Sequence, residues 1–299
     1  MTLNIFFGVI LVNYKIMPKT YKLKNGVKMK STIKKKKIPF DLLNKVSVNR
    51  DGEEGPTIYY GEIIPNKNYK LDYDCNTGNL TLKKTRKTFK KPVLTDLVKK
   101  DLCKPVRVPC NWVKVKENQP RTDSNVFGGS GFFKIKRKHY LELPLVNALD
   151  CQETLYKKFK CLLIKHGNPL PKLKLKDPIY VVNYEIKEQF VSNYIHSKTG
   201  PGIFIEQHAF PHYLTPIGED ARNPIVIGKP NKNKKHVYLM GVIVPPGFTL
   251  YIPSGVVHND WYYIGNISTS IYLDEKADVV FLHGYKSKKI AMQFRKKFA

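Results

Sequence analysis

Residues 247–260 read GFTLYIPSGVVHND, and the fold turns on how this stretch is read. Phe248 to Ile252 are β-formers, and a period of two puts Leu250 and Ile252 on one face of a strand. Pro253 has no N–H to give a ladder, and Gly255 tolerates backbone angles that other residues avoid. The strand must therefore stop at Pro253, turn, and restart with His258 just beyond the turn. Such a segment is either a turn that happens to contain a histidine or a corner that aims the histidine at a metal or substrate.

The surroundings of this stretch are rich in short strands. Working outward, YVVNYEI, GIFIEQH, HVYLMGVIV, FTLYIP, STSIYL and DVVFL follow one another from Ile179 onward between turn signals. That spacing predicts an antiparallel sandwich or barrel. Upstream, TIYYGEII (57–64) reads as a strand, and KLDYDCNTGNLTLKK as a hairpin turning at Asn76-Thr77-Gly78. NVFGGSGFF has glycines but neither the lysine of a P-loop nor dinucleotide-fingerprint spacing, so it reads as a turn. Helices are few. Leu94–Leu102 reads as a short one before Pro105. Cys151–Lys165 reads as a longer one, with Asp150 as N-cap, Glu153 completing a capping box and Gly167 as the stop. PLPKLKLKDP is extended and linker-like. Ser287–Phe298, with Ile290, Phe294 and Phe298 at helical spacing, predicts a basic amphipathic helix that packs as a cap or docks an anionic partner.

Charge is the outlying property. The 299 residues carry 52 cations against 24 anions, a formal net charge of +28, and 45 of the cations are lysines while seven are arginines. Lysine is a hydrated point charge and arginine the residue of bidentate base reading, so the balance points to non-specific attraction to nucleic acid or another polyanion. A compositional lysine excess on exposed positions is the plainer account. The tetrad Lys34–Lys37 reads as a solvated loop or as a nuclear-localisation or nucleic-acid patch. The five cysteines form no CxxC pair, which argues against a zinc ribbon and predicts free thiols in a reducing compartment. The apolar run LNIFFGVILV is too short to span a bilayer and reads as a core strand or as an extension before Met17. The expectation is a soluble intracellular protein, cytoplasmic or nuclear, with no membrane span.

Gly247, Pro253, Gly255 and His258, spaced five, one and two residues apart, resemble the second motif of the cupin superfamily at all four fixed positions. Tyr262 stands where that motif often has asparagine. LYIPSGVVH followed by STSIYL is also similar to the distal-histidine segment of JmjC-type and related cupin-fold oxygenases. The first cupin motif is incomplete: Gly202 and His208 keep its spacing, but its second histidine falls on Phe210.

The resemblance implies a double-stranded β-helix, or jelly-roll barrel, in a mainly β (α+β) protein with flanking helices. A basic β-rich region is expected over 1–145 and the cupin-like barrel over 146–299. It implies a metal-dependent enzyme, with an iron(II) oxygenase foremost. As a strand, GIFIEQH puts Phe204, Glu206 and His208 on one face. Glu206, His208 and His258 then supply a two-histidine, one-carboxylate ligand set of the non-haem iron(II) type, with His212 as a further ligand candidate. A 2-oxoglutarate cosubstrate would need a cation about ten residues after the last histidine. That region is Ser268, Thr269 and Ser270, so only a lysine from elsewhere, such as Lys234 or Lys235, can serve. Metal-free cupin chemistry is the weaker alternative, with His208 as general base and Tyr251 or Tyr272 as acid. A jelly-roll scaffold without catalysis, binding polyanions through its lysines, is the reading from another class. Trp261 reads as lining a pocket mouth or as packing, and Asp260 as sharing a face with His258 if the strand continues.

Overall fold

The protein is described from a computed structural model covering residues 58–74, 77–93, 97, 103–114, 131–135, 140–186, 204–218, 224–259, 265–272, 278–283 and 291–296. The N-terminal apolar run, the lysine tetrad, most of Leu94–Leu102, the glycine cluster before Gly131, Asp260 and Trp261 lie outside the described residues.

The chain is mainly β. Its strands are β1 (Ile58–Ile63), β2 (Tyr69–Asp74), β3 (Asn79–Lys84), β4 (Val106–Lys114), β5 (Gly131–Ile135), β6 (Tyr140–Asn147), β7 (Leu162–Lys165), β8 (Ile179–Ile186) and β9 (Phe204–Gln207). They continue with β10 (His212–Ile217), β11 (Ile225–Pro230), β12 (His236–Ile243), β13 (Phe248–Ile252), β14 (Val257–Asn259), β15 (Gly265–Ile271), β16 (Asp278–His283) and β17 (Ala291–Lys296). One sheet is antiparallel in the order β1-β8-β15-β10-β13-β7; the second runs β11-β14-β9-β16-β5-β4-β12-β6-β17. Because β11 also pairs with β12, the second sheet curls back on itself. This curled, half-barrel architecture is compatible with a cupin-like jelly roll. Both sheets draw strands from either side of residue 145: β1 pairs with β8, and β4 with β12.

Alternation along the strands explains the layering. Leu214, Leu250, Ile252 and Ile267 of the six-stranded sheet pack with Ile225, Ile227, Met240 and Val242 of the curled sheet in one core. The opposite face of the six-stranded sheet carries Val181 and Tyr213, which pack with Leu71 and Leu80 from the β2–β3 hairpin. Each fully buried aliphatic side chain contributes about 1.5–3 kcal/mol, so both faces of this sheet are held by burial. The hairpin itself runs in the expected antiparallel register, with Leu71 opposite Leu82 and Gly78 at φ +67° in its turn.

Three expectations are corrected. The helix placed over Cys151–Lys165 is shorter and starts earlier: a 3₁₀ turn at Ala148–Cys151 leads through Gln152–Thr154 into a wide turn at Leu155–Phe159. Its N-cap is Asn147, whose side chain accepts from Leu149 N–H, and not Asp150. Lys160 ends it in the left-handed region (φ 62°), and Leu162–Lys165 then joins the sheet as β7 against β13. An open sheet edge next to an apolar run outweighed helix propensity. At the C-terminus, Ala291–Lys296 is likewise a strand, parallel to β6, where an amphipathic helix was expected. Finally, Cys103 and Cys151 form a disulfide with Cα atoms 5.6 Å apart, while Cys110 and Cys161 are free and buried. An odd cysteine count over such separations carries no trace of that pairing. Among the described residues no helix is long and apolar enough to cross a membrane.

Candidate metal centre

The corner at 253–256 is a four-residue turn closed by Val256 N–H donating to Pro253 O at 3.3 Å. Gly255 is its third residue, at φ +75°, the position where a type II turn demands a positive angle. Gly255 N–H also donates to His208 O at 2.9 Å, so the corner is tied to the end of β9. Gly247 (φ +81°) makes the matching turn at the other end of β13, its carbonyl accepting from His166 N–H at 2.8 Å. Between them β13 lies flat against β10, and beyond them β14 carries His258 opposite Glu206 of β9.

This geometry brings Glu206, His208, His212 and His258 together, one ligand atom from each lying within 4.8 Å of the others. Such a group can hold a metal ion. It bridges the two sheets: Glu206 and His258 come from the curled sheet, His212 from β10 of the other, and His208 from the connection between them. The three imidazoles meet edge to face, with centroids 4.2 to 4.8 Å apart. All three are buried, and Glu206 is partly exposed. Its Oε1 lies 3.6 Å from His258 Nε2.

Each ring is held by its other nitrogen. His208 Nδ1 lies 2.6 Å from Phe210 O, and His258 Nδ1 lies 2.9 Å from Val256 O. A carbonyl can only accept, so both rings carry their proton on Nδ1 and turn the Nε2 lone pair inward, the tautomer a metal needs. His212 Nδ1 is 3.0 Å from Thr269 Oγ1 on β15. Ser270 Oγ donates to Pro211 O and accepts from Tyr213 N–H, locking the entry to β10. His208 Nε2 is buried with no hydrogen-bond partner among the described residues. A buried lone pair left unmatched costs about 1–3 kcal/mol, which a bound cation would remove. Burial above all, and then the neighbouring His258, push His208 down to about 2, so its ring is neutral across the physiological range. Orphaned nitrogen, fixed tautomers and a three-imidazole, one-carboxylate donor set together fit a divalent transition metal.

Phe210, standing where a motif histidine was expected, stacks on His208 at 3.7 Å with rings nearly parallel. Its ring walls the cluster and its carbonyl orients the His208 ring, while His212, two residues on, brings a further imidazole into the cluster. Tyr272 donates from its hydroxyl to Asp177 and sits 5.8 Å from the Phe210 ring. Tyr251 is paired with Tyr213, one residue past His212, and therefore lies on the opposite face of the sheet, 5.3 Å from the Tyr213 ring. Lys234, considered as a carboxylate anchor, lies instead over the Trp112 ring, with Lys235 beside it at the exposed β11–β12 turn.

Sequence reasoning missed Thr269 as the group that holds His212. Its only signal was a Ser-Thr-Ser run in a strand, all three side chains of which prove buried. Compared with protein-family models, with curated proteins and with solved structures, the chain matches none.

Proposed function

We propose that the protein is a metal-dependent enzyme of cupin-like architecture, and that the metal is iron(II) serving an oxygenase reaction. The observation that carries this reading is the convergence of Glu206, His208, His212 and His258 with two histidine tautomers already set for coordination. Iron(II), when bound, would supply the one-electron chemistry that lets dioxygen react with an organic substrate. The chain's own part is to hold the ion through these four side chains, to exclude water with Phe210 and the facing sheets, and to leave access beside the partly exposed Glu206.

Four protein ligands leave two positions on a six-coordinate ion. A chelating 2-oxo acid together with dioxygen needs three, and the Ser268–Ser270 segment offers no cation for its far carboxylate. The reading supported here is therefore an oxygenase independent of 2-oxoglutarate. Metal-free acid–base chemistry has less support, because a histidine pushed to about 2 is a weak base near neutrality.

Elemental analysis of the purified protein tests the proposal, followed by anaerobic iron(II) loading and nitric oxide exposure. The expected result is one metal per chain, lost in His258→Ala, and an iron–nitrosyl paramagnetic signal. A wild-type protein that holds no metal and gains none from added iron(II) would overturn it and favour the scaffold reading.

A further inference from the structure

A second site lies at the turn joining β11 and β12, and it does not rest on the metal centre. Residues 231–235, Asn-Lys-Asn-Lys-Lys, form a short hairpin turn that the structure holds rigidly. Asn231 and His236 close it: Asn231 N–H donates to His236 O at 2.9 Å, and His236 N–H donates to Asn231 Oδ1 at 3.0 Å. Inside the turn Lys234 N–H donates to Asn231 O, and Lys235 N–H to Asn233 Oδ1. Lys234 takes a left-handed conformation (φ 53°) to complete it. Cys110 N–H donates to Lys235 O at 2.9 Å, which pins the turn against β4. Three exposed lysines are thus presented from a fixed backbone.

Beside them is an open cleft of about 420 Å³ lined by Asn111, Trp112, Lys232, Asn233, Lys234 and Lys235. That volume falls within the range of small-ligand sites, roughly 300–1,000 Å³. None of the described lining side chains is acidic. Trp112 is half-buried: its ring packs edge to face on Phe133 at 4.8 Å, and Lys234 Nζ lies 4.1 Å from its centroid. Among the described residues, it is the exposed Lys234 ammonium that lies over the indole. Lys114, at the end of β4 and two residues past Trp112, extends the positive strip on that face of the sheet, while Lys134, opposite Asn111, is exposed on the other face.

We propose that this cleft and strip bind single-stranded nucleic acid without sequence preference, one base stacking on Trp112 and the lysines following the phosphates. An aromatic platform within a line of cations is the arrangement such strands need. Lysines meet phosphates as point charges and lack the fork that reads base edges, which is why no sequence preference is expected. A lipid surface is a poor match: the turn Asn-Lys-Asn-Lys-Lys has no apolar side chain to insert into a bilayer. A duplex keeps its base faces stacked and would leave Trp112 unused.

Anisotropy of a labelled mixed-sequence oligonucleotide tests this on the full chain, with duplex, free mononucleotide and anionic vesicles as competitors. Wild type should bind the single strand, with affinity falling as salt rises. Lys232→Ala/Lys234→Ala/Lys235→Ala should weaken binding about tenfold or more and lower the log–log salt slope by about 2, since each lost contact removes roughly 0.7 for a single strand. Lysine-to-arginine replacement should retain binding. Trp112→Phe should weaken it without changing the slope, because stacking is the uncharged part. Metal content and circular dichroism should match wild type in all variants. Triple-alanine binding equal to wild type would overturn the proposal by placing polyanion affinity elsewhere on the chain. Equal or tighter competition by duplex, mononucleotide or vesicles would overturn the assignment to a single strand.

Discussion

Thr269 and Gly255 shape the candidate metal centre without belonging to its donor cluster. Thr269 Oγ1 is the side-chain partner nearest His212 Nδ1, at 3.0 Å, and groups that orient a metal-binding histidine typically change affinity 10- to 100-fold. Thr269→Val, which keeps the shape and removes the hydroxyl, should weaken metal binding by about that factor with only a small change in melting temperature; Thr269→Ser should restore it. Competition against a chromophoric chelator reads both. Gly255 has open space where a Cβ would go, so the cost of Gly255→Ala is conformational, arising from φ +75°. Chemical denaturation should show a loss of roughly 1–3 kcal/mol. Metal affinity should fall with it, because Gly255 N–H holds the carbonyl of His208. Of the candidate site, the four residues that cluster and the corner were singled out from the sequence; that they meet is a matter of the fold. Thr269 was not singled out, since it reaches His212 from 57 residues away and a hydroxyl in a strand announces nothing about its partner.

At the scale of elements, agreement and disagreement with the sequence have one cause. The β2–β3 hairpin was legible because its pairing is local and its turn residues are specific. The segment from Cys151 to Lys165 was not, because Leu162–Lys165 serves equally as the end of a helical stripe or as a half-buried strand. The deciding partner, β13, lies more than eighty residues downstream. The helical turn ends where Lys160 adopts φ 62°, a conformation glycine enters without a steric penalty. Lys160→Gly should therefore raise stability by about 0.5–1 kcal/mol, the left-handed cost being partly offset by the added freedom of the unfolded chain. A denaturation curve that shifts to lower midpoint would contradict this account of the helix end.

For the whole molecule, burial of the histidine cluster links stability to pH. His208 binds a proton near 6.5 when unfolded and only near 2 when folded, burial being the main cause. Below about 6.5 the unfolded chain therefore takes up a proton that the native state refuses. Stability contributed by the neutral ring is complete above that pH and falls as pH is lowered toward 2, by up to about 1.4 kcal/mol per unit. Thermal melts of chelator-treated protein should show this loss, and His208→Gln should flatten it. Metal should oppose it: at a hundredfold excess over its dissociation constant a ligand that binds only the native state adds about 2.7 kcal/mol, and acid should then release metal before the chain unfolds.

GFTLYIPSGVVHND by itself determined a strand, a proline stop, a left-handed glycine and a histidine at a fixed offset, because each follows from the conformational limits of one residue and its neighbours. The strand-rich architecture was legible for the same reason. Only the tertiary structure decided that Phe210 stacks on His208, that His212 joins the cluster with Glu206, His208 and His258, and that Cys103 meets Cys151. Tertiary pairing also made the C-terminal segment a strand against β6. Those outcomes depend on which sheet edges and which side chains meet across the fold, and no local pattern encodes a meeting between residues that are distant in the chain.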